Sequence, residues 1–299
     1  MFSLGFKLSA LPIDSTDTSN NLILSVVFFD FPYQISFIEN HSKEQGYPKS
    51  FICSYANPSM KQSLSVTSSL YSAAHFGIDR LFKVQPKYRD TKRKALHMAS
   101  ILLTDYLITY MPGGDAWLHE EYHRAVLNDN NVSSFNGINK FPIGSEFVSV
   151  NDLKDENLIR FKKESPKDFI RMHVAGIEGE YLLIDKLQQN NFFYGLNISH
   201  ELHYWLVTLN SMYYVQASSD PEYVDVDTDR FNETEKEVKD RDFTGYDFSA
   251  WAYDLHKPNE PYEQRGIHPL GNGVDRYIKT NDLTQEQLRY LKNKGDFKH

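Results

Sequence analysis

One cysteine among 299 residues removes two classes of chemistry at once. Cys53 has no partner for an intramolecular disulfide, and no Cys-rich zinc site can be assembled from it. Tryptophan is scarce too, at 3, while 19 Tyr and 20 Phe carry the aromatic content and read as an aromatic-rich core. Long apolar runs are absent. The two closest, ASILLTDYLITYM and HYWLVTLNSMYYV, are 13 residues each and contain polar groups, so they read as buried core helices rather than membrane spans. Positive charge is in deficit: the net charge is −8, and the one basic cluster, KYRDTKRK at Lys87–Lys94, reads as the solvated entry to a helix. Nucleic acid is therefore not an expected partner. The first residues, MFSLGFKLSALPIDS, lack a basic start followed by an apolar core, so no signal peptide is expected; compartment and oligomeric state stay open.

What is present divides the chain into an N-terminal segment, 1–60, and a helical segment, 61–299, either as two units or as one continuous domain. Phe2, Leu4, Phe6 and Leu8 alternate with polar or small residues, and NLILSVVFFDF follows after the turn-rich PIDSTDTSNN, which predicts a β-hairpin. Glu39–Met60 reads as loop. From Lys61 the apolar spacing becomes helical, and Pro86 closes the first helix. A second runs from Arg89 to Met111, before Pro112-Gly113-Gly114. A short helix with Asp115 as N-cap follows, then one opened by Ser165-Pro166, then one capped by Ser199. The acidic ASSDPEYVDVDTDRFNETEKEVKDRD reads as an exposed loop, and TGYDFSAWAYDLHKPNEPYEQRGIHPLGNG as aromatic turns. A capping box, Thr284 with Gln287, opens a last helix closed by Gly295. The expected fold class is mainly α (α+β): a helical metal-binding domain with a small N-terminal β-hairpin.

Its chemistry centres on GGDAWLHEEYHRAVL, where His119, Glu120 and His123 stand as H-E-x-x-H. On a helix His119 and His123 lie one turn apart on one face, so both imidazoles can reach one ion. Glu120, about 100° further round, cannot join them from that face but can hydrogen-bond a water on the ion. That is the placement of a general base for zinc-assisted hydrolysis.

WLHEEYHRAV resembles the active-site helix of the zincin metallopeptidases. The metzincin continuation is missing, since RAVLNDNNVSS follows His123, and so is the inverted H-x-x-E-H order. The resemblance is thus to the gluzincin type, which implies one zinc ion per chain, a peptide or protein substrate, and a third ligand from a glutamate on a downstream helix. HVAGIEGEYLLID offers Glu178 and Glu180 beside Ala175, Gly176 and Gly179, small residues that would let this helix pack against the H-E-x-x-H helix. His173, Gly176 and Glu180 share one face; Glu178, Tyr181 and Asp185 share another. Glu178 is the first choice of ligand, with Asp185 supporting it, then Glu180, then His173. Candidates for stabilising an oxyanion are His200, His203, Tyr204, Arg276 and, foremost, His268 in a loop punctuated by Gly and Pro. His75 and His97, on apolar helical faces, read as satisfied core residues.

Two rival readings stand beside a zinc metallohydrolase. Glu120-x-x-His123 is also the Glu-x-x-His unit of di-iron carboxylate bundles, but no second such unit occurs: Glu201 is followed by His203, one residue early. The other is a non-catalytic helical binding or structural protein. Trp117, Leu118, Tyr122, Ala125 and Val126 around the motif argue against a fully exposed helix.

Overall fold

A computed structural model describes residues 3–9, 21–27, 29–30, 35–36, 57–83, 90–139, 148–194 and 197–295. The hairpin forms as the alternation implies: β1 (Ser3–Ser9) pairs antiparallel with β2 (Asn21–Val27), Ser3 opposite Val27. The turn between them, the Glu39–Met60 loop as far as 56, Cys53, and Lys87–Arg89 of the basic cluster lie outside the described residues. Two further short antiparallel pairs follow: β3 (Phe29–Asp30) with β4 (Ile35–Ser36), and later β5 (Phe135–Asn136) with β6 (Val150–Asn151).

The outer edge of β2 does not stay open. Ser69 on α1 (Met60–Lys83) accepts from Ser25 N (3.2 Å) and donates to Ser25 O (3.1 Å), and Ser65 accepts from Val27 N (3.0 Å). Hydroxyls at four-residue spacing lie on one helix face, so this serine row meets the strand edge along its length.

Helices supply the rest, and the fold is mainly α as expected. α2 (Thr91–Thr109) starts on Asp90, whose side chain accepts from Lys92 N, and α3 (Asp115–Asp129) follows the tight Gly113-Gly114 turn. A Cβ on Gly114 would lie 1.9 Å from Ile108 O, so only glycine lets α2 turn into α3 here. After α4 (Asp155–Glu164), α5 (Pro166–Tyr194) is the axis on which α3, α6 (Ile198–Ala217) and α8 (Asp247–His256) pack. Leu118, Tyr122, Val126, Phe169, Met172, Ala175 and Leu183 form the main core between α3 and α5. Truncating one of the larger of these side chains to Ala costs about 2–5 kcal/mol.

Two stretches read as irregular are helices. The acidic tract contains α7 (Pro221–Thr234): Asp220 accepts from Glu222 N, Pro221 sits at the first helical position, and Val224, Thr228 and Asn232 form a buried stripe. The aromatic turns contain α8. The Thr284/Gln287 box forms as read, at 2.6 and 3.3 Å, and opens α9 (Gln285–Gly295). Among the described residues no helix is long and apolar enough to cross a membrane.

Candidate metal centre

Most of α3 is buried, including Glu120 and His123. His119 and His123 project from successive turns with ring centroids 4.9 Å apart. Gly176 on α5 faces them: a Cβ there would lie 2.3 Å from His119 Nε2 and 2.4 Å from His123 Nε2. The two nitrogens are aimed at a space that only a glycine leaves open. Gly179 makes the same allowance for the ring of Tyr122.

Each imidazole is fixed by its other nitrogen. His123 Nδ1 lies 2.6 Å from the carbonyl of Met172, which can only accept, so Nδ1 carries the proton and Nε2 presents a lone pair. His119 Nδ1 donates to Glu180 Oε1 at 2.7 Å, and Ser211 on α6 donates to the other oxygen of Glu180. A carboxylate behind a histidine in this way orients the ring and raises the basicity of its far nitrogen.

Both Nε2 atoms converge on one oxygen of Asp247, the first residue of α8: 3.0 Å from His119 and 3.3 Å from His123. His119, His123 and Asp247 are the one group among the described residues whose donor atoms lie close enough together to hold an ion. His123 Nε2 is buried and makes no hydrogen bond, although Asp247 lies nearby. Burial alone would raise the Asp247 carboxyl, but the two imidazoles outweigh it and hold the carboxyl well below the usual range. Burial would likewise lower His119, and its bonds to Asp247 and Glu180 reverse the sign. The cluster thus draws positive charge into a buried space.

Glu120 is different. Burial pushes its carboxyl up to about 8 against the pull of His119 and His123, with Asp242 and Asp247 adding to the rise. Asp242 is itself raised to about 6, mainly by burial, although backbone amides of Val150 and Phe243 donate to it. Tyr214 on α6 stands edge-on to His119 at 5.7 Å, and its hydroxyl accepts from Asp247 N at 3.3 Å. Burial first, then Asp247, keeps that phenol protonated.

The sequence candidates separate cleanly in space. Glu180 reaches the centre through His119. Glu178 instead pairs with Arg171 at 2.8 Å on the partly exposed side of α5, and Asp185 accepts from Gln189 in solvent. His173 bonds Asp254 (2.7 Å) and Thr244 (3.0 Å) in a separate buried network with Lys162 and Arg265. His268 is buried among Arg241, Arg276 and Asp155, lowered to about 4 chiefly by burial; Arg276 pairs with Asp155 at 2.8 Å. His203 pairs with Asp115 at 3.1 Å, His75 with Asp105 at 2.6 Å and His97 with Asp79 at 2.8 Å. His200 packs beside His75, and Tyr204 packs against the main core.

Asp247 and Tyr214 were not singled out in the sequence. Asp247 lies 128 residues beyond His119 in a stretch read as turns, and Tyr214 in a helix from which His200, His203 and Tyr204 were the residues singled out.

Against known proteins, this chain matches no family model, no curated protein and no solved structure.

Proposed function

We propose that the chain is a zinc-dependent hydrolase, with His119, His123 and Asp247 holding the ion and Glu120 serving as general base. The observation that carries this reading is the convergence of His119 Nε2, His123 Nε2 and one Asp247 oxygen on a single buried space that Gly176 leaves open. Two imidazoles and a carboxylate form a donor set that suits zinc, leaving a fourth position for water or substrate.

When bound, the ion would acidify a water and polarise a carbonyl. The protein's own residues do the rest. Glu120, adjacent to His119 in sequence but on a different part of the helix circumference, is raised by burial, and a bound dication beside it would draw it back to the carboxylate. In that form it takes a proton from the attacking water and returns it to the leaving group. Glu180 and Met172 O hold the two imidazoles in the donating tautomer. Tyr214, whose hydroxyl proton is not used by Asp247 N, can donate to an oxygen that becomes negative. By its resemblance to the zincins, the substrate class is a peptide or protein.

Metal analysis of chelator-free protein tests the first half: about one zinc per chain is expected, against two irons for a di-iron bundle and none for a binding module. Glu120→Gln should keep zinc bound and lower peptide hydrolysis by about 10²–10⁴-fold. Unchanged turnover would remove Glu120 from its role.

One observation favours a second reading, a purely structural zinc centre. The His119 side chain is only 13% exposed and those of Asp247 and His123 are 4% and 1% exposed, so the centre opens little to solvent. A centre that binds one zinc, loses stability on chelation and cleaves no peptide would decide for that role.

A further inference from the structure

Hydrogen bonds gather four helix ends at one pole of the bundle. Asp79, near the end of α1, accepts from His97 near the start of α2 (2.8 Å) and from Ser199 at the start of α6 (2.9 Å). Asn191, in the last turns of α5, donates to Glu201 on α6 (2.7 Å). This pole carries the most exposed aromatic residues of the described chain: Phe192 at 83% and Phe193 at 71%, with rings edge-on at 5.0 Å. Leu81 on α1 (71%), Leu96 on α2 and Ile198 on α6 are exposed around them.

The pole is also basic on an acidic chain. Lys92 and Lys94 are exposed in the first turn of α2, Arg93 lies between them, and Arg80 stands over Phe76 on α1. Four cations here meet three carboxylates: Asp79 is turned inward onto His97 and Ser199, Glu201 accepts from Asn191, and Asp90 caps α2. Cations around protruding phenylalanines stand in contrast to the net charge of −8.

From this pole an apolar face continues along the two adjacent helices. Leu103, Tyr106 and Leu107 on α2 and Trp205, Leu209 and Tyr213 on α6 are all more than half exposed. The same two helices turn His97, Asp105 and His203 inward, each ion-paired. The inward faces also bury Ile101, Ile108, Val207 and Val215, so both helices are apolar on both sides, and the exposed Leu, Tyr and Trp face suits contact with hydrocarbon.

We propose that this pole, led by Phe192 and Phe193 and continued by the outer faces of α2 and α6, docks on the surface of an anionic lipid bilayer. The phenylalanines enter the acyl boundary, Lys92 and Lys94 meet lipid phosphates, and the tyrosines and Trp205 lie at headgroup level. Attachment is to one leaflet. It needs no ion at the metal centre and no hydrolytic activity.

The test is co-sedimentation of the folded full chain with vesicles of phosphatidylcholine alone or mixed with phosphatidylglycerol. Binding to the anionic vesicles is expected, weakened by salt and much reduced on the neutral ones. Phe192→Asp with Phe193→Asp should lower partitioning at least about tenfold. Lys92→Glu with Lys94→Glu should lower it on anionic vesicles only, and Ile267→Ser with Leu270→Ser, exposed in the loop after Gly266, should leave it unchanged. All six positions are exposed, and circular dichroism verifies that each variant keeps its helices. Absence of vesicle binding, or binding that survives the Phe192/Phe193 change, overturns the proposal. So does sedimentation velocity showing a dimer that this change dissolves while vesicles capture nothing, because the face then belongs to a second copy of the chain.

Discussion

At the scale of single residues, the space at Gly176 decides what the centre can be. Alanine is favoured over glycine within a helix by about 1 kcal/mol, yet here its methyl would meet both imidazoles at 2.3–2.4 Å. Gly176→Ala is therefore expected to lower thermal stability by about 1–3 kcal/mol and to abolish zinc retention, read by melting and metal analysis. Glu178 and Glu180 form a second contrast. Glu180→Gln removes the carboxylate behind His119 and should weaken zinc binding about 10–100-fold in chelator competition. Glu178→Gln should leave it unchanged, since that side chain pairs with Arg171 near solvent. The face shared by Gly176 and Glu180 was legible from spacing, because four residues is one helical turn. Which face meets α3 was not, as that depends on where α3 packs; the glycine itself marked the side of close approach.

At the scale of elements, strongly periodic or well-punctuated helices were readable, and charge-rich or aromatic ones were not. H-E-x-x-H, the Ser165-Pro166 start and the Thr284/Gln287 box are local signals and appear where the sequence puts them. The stretch holding α7 is dominated by Asp and Glu, which hides a stripe of only three inward residues, Val224, Thr228 and Asn232. Its start is set by Asp220, so Asp220→Ala should destabilise the protein by about 1 kcal/mol in chemical denaturation. Asp247 escaped for a related reason. A ligand at the first position of a helix recognised only through tertiary packing carries no spacing signature, unlike two histidines on one turn.

At the scale of the whole molecule, acid sensitivity follows from histidines kept neutral inside. Burial, with His75 and His203 nearby, lowers His200 from 6.5 to about 4. The unfolded chain binds a proton at His200 below pH 6.5, while the folded one resists until about 4. This contribution is thus complete above pH 6.5 and is lost as pH falls toward 4, amounting to at most about 3 kcal/mol. Urea melts at a series of pH values should show that slope, and His200→Gln should flatten part of it. The link from His119 to Asp247 acts on the same scale, joining positions 128 residues apart in the chain. Such a tie closes a very large loop at an entropic cost that grows only slowly with its length. The integrity of the centre therefore reports whether α8 is docked: a chain with α8 undocked keeps both histidines and has no third corner.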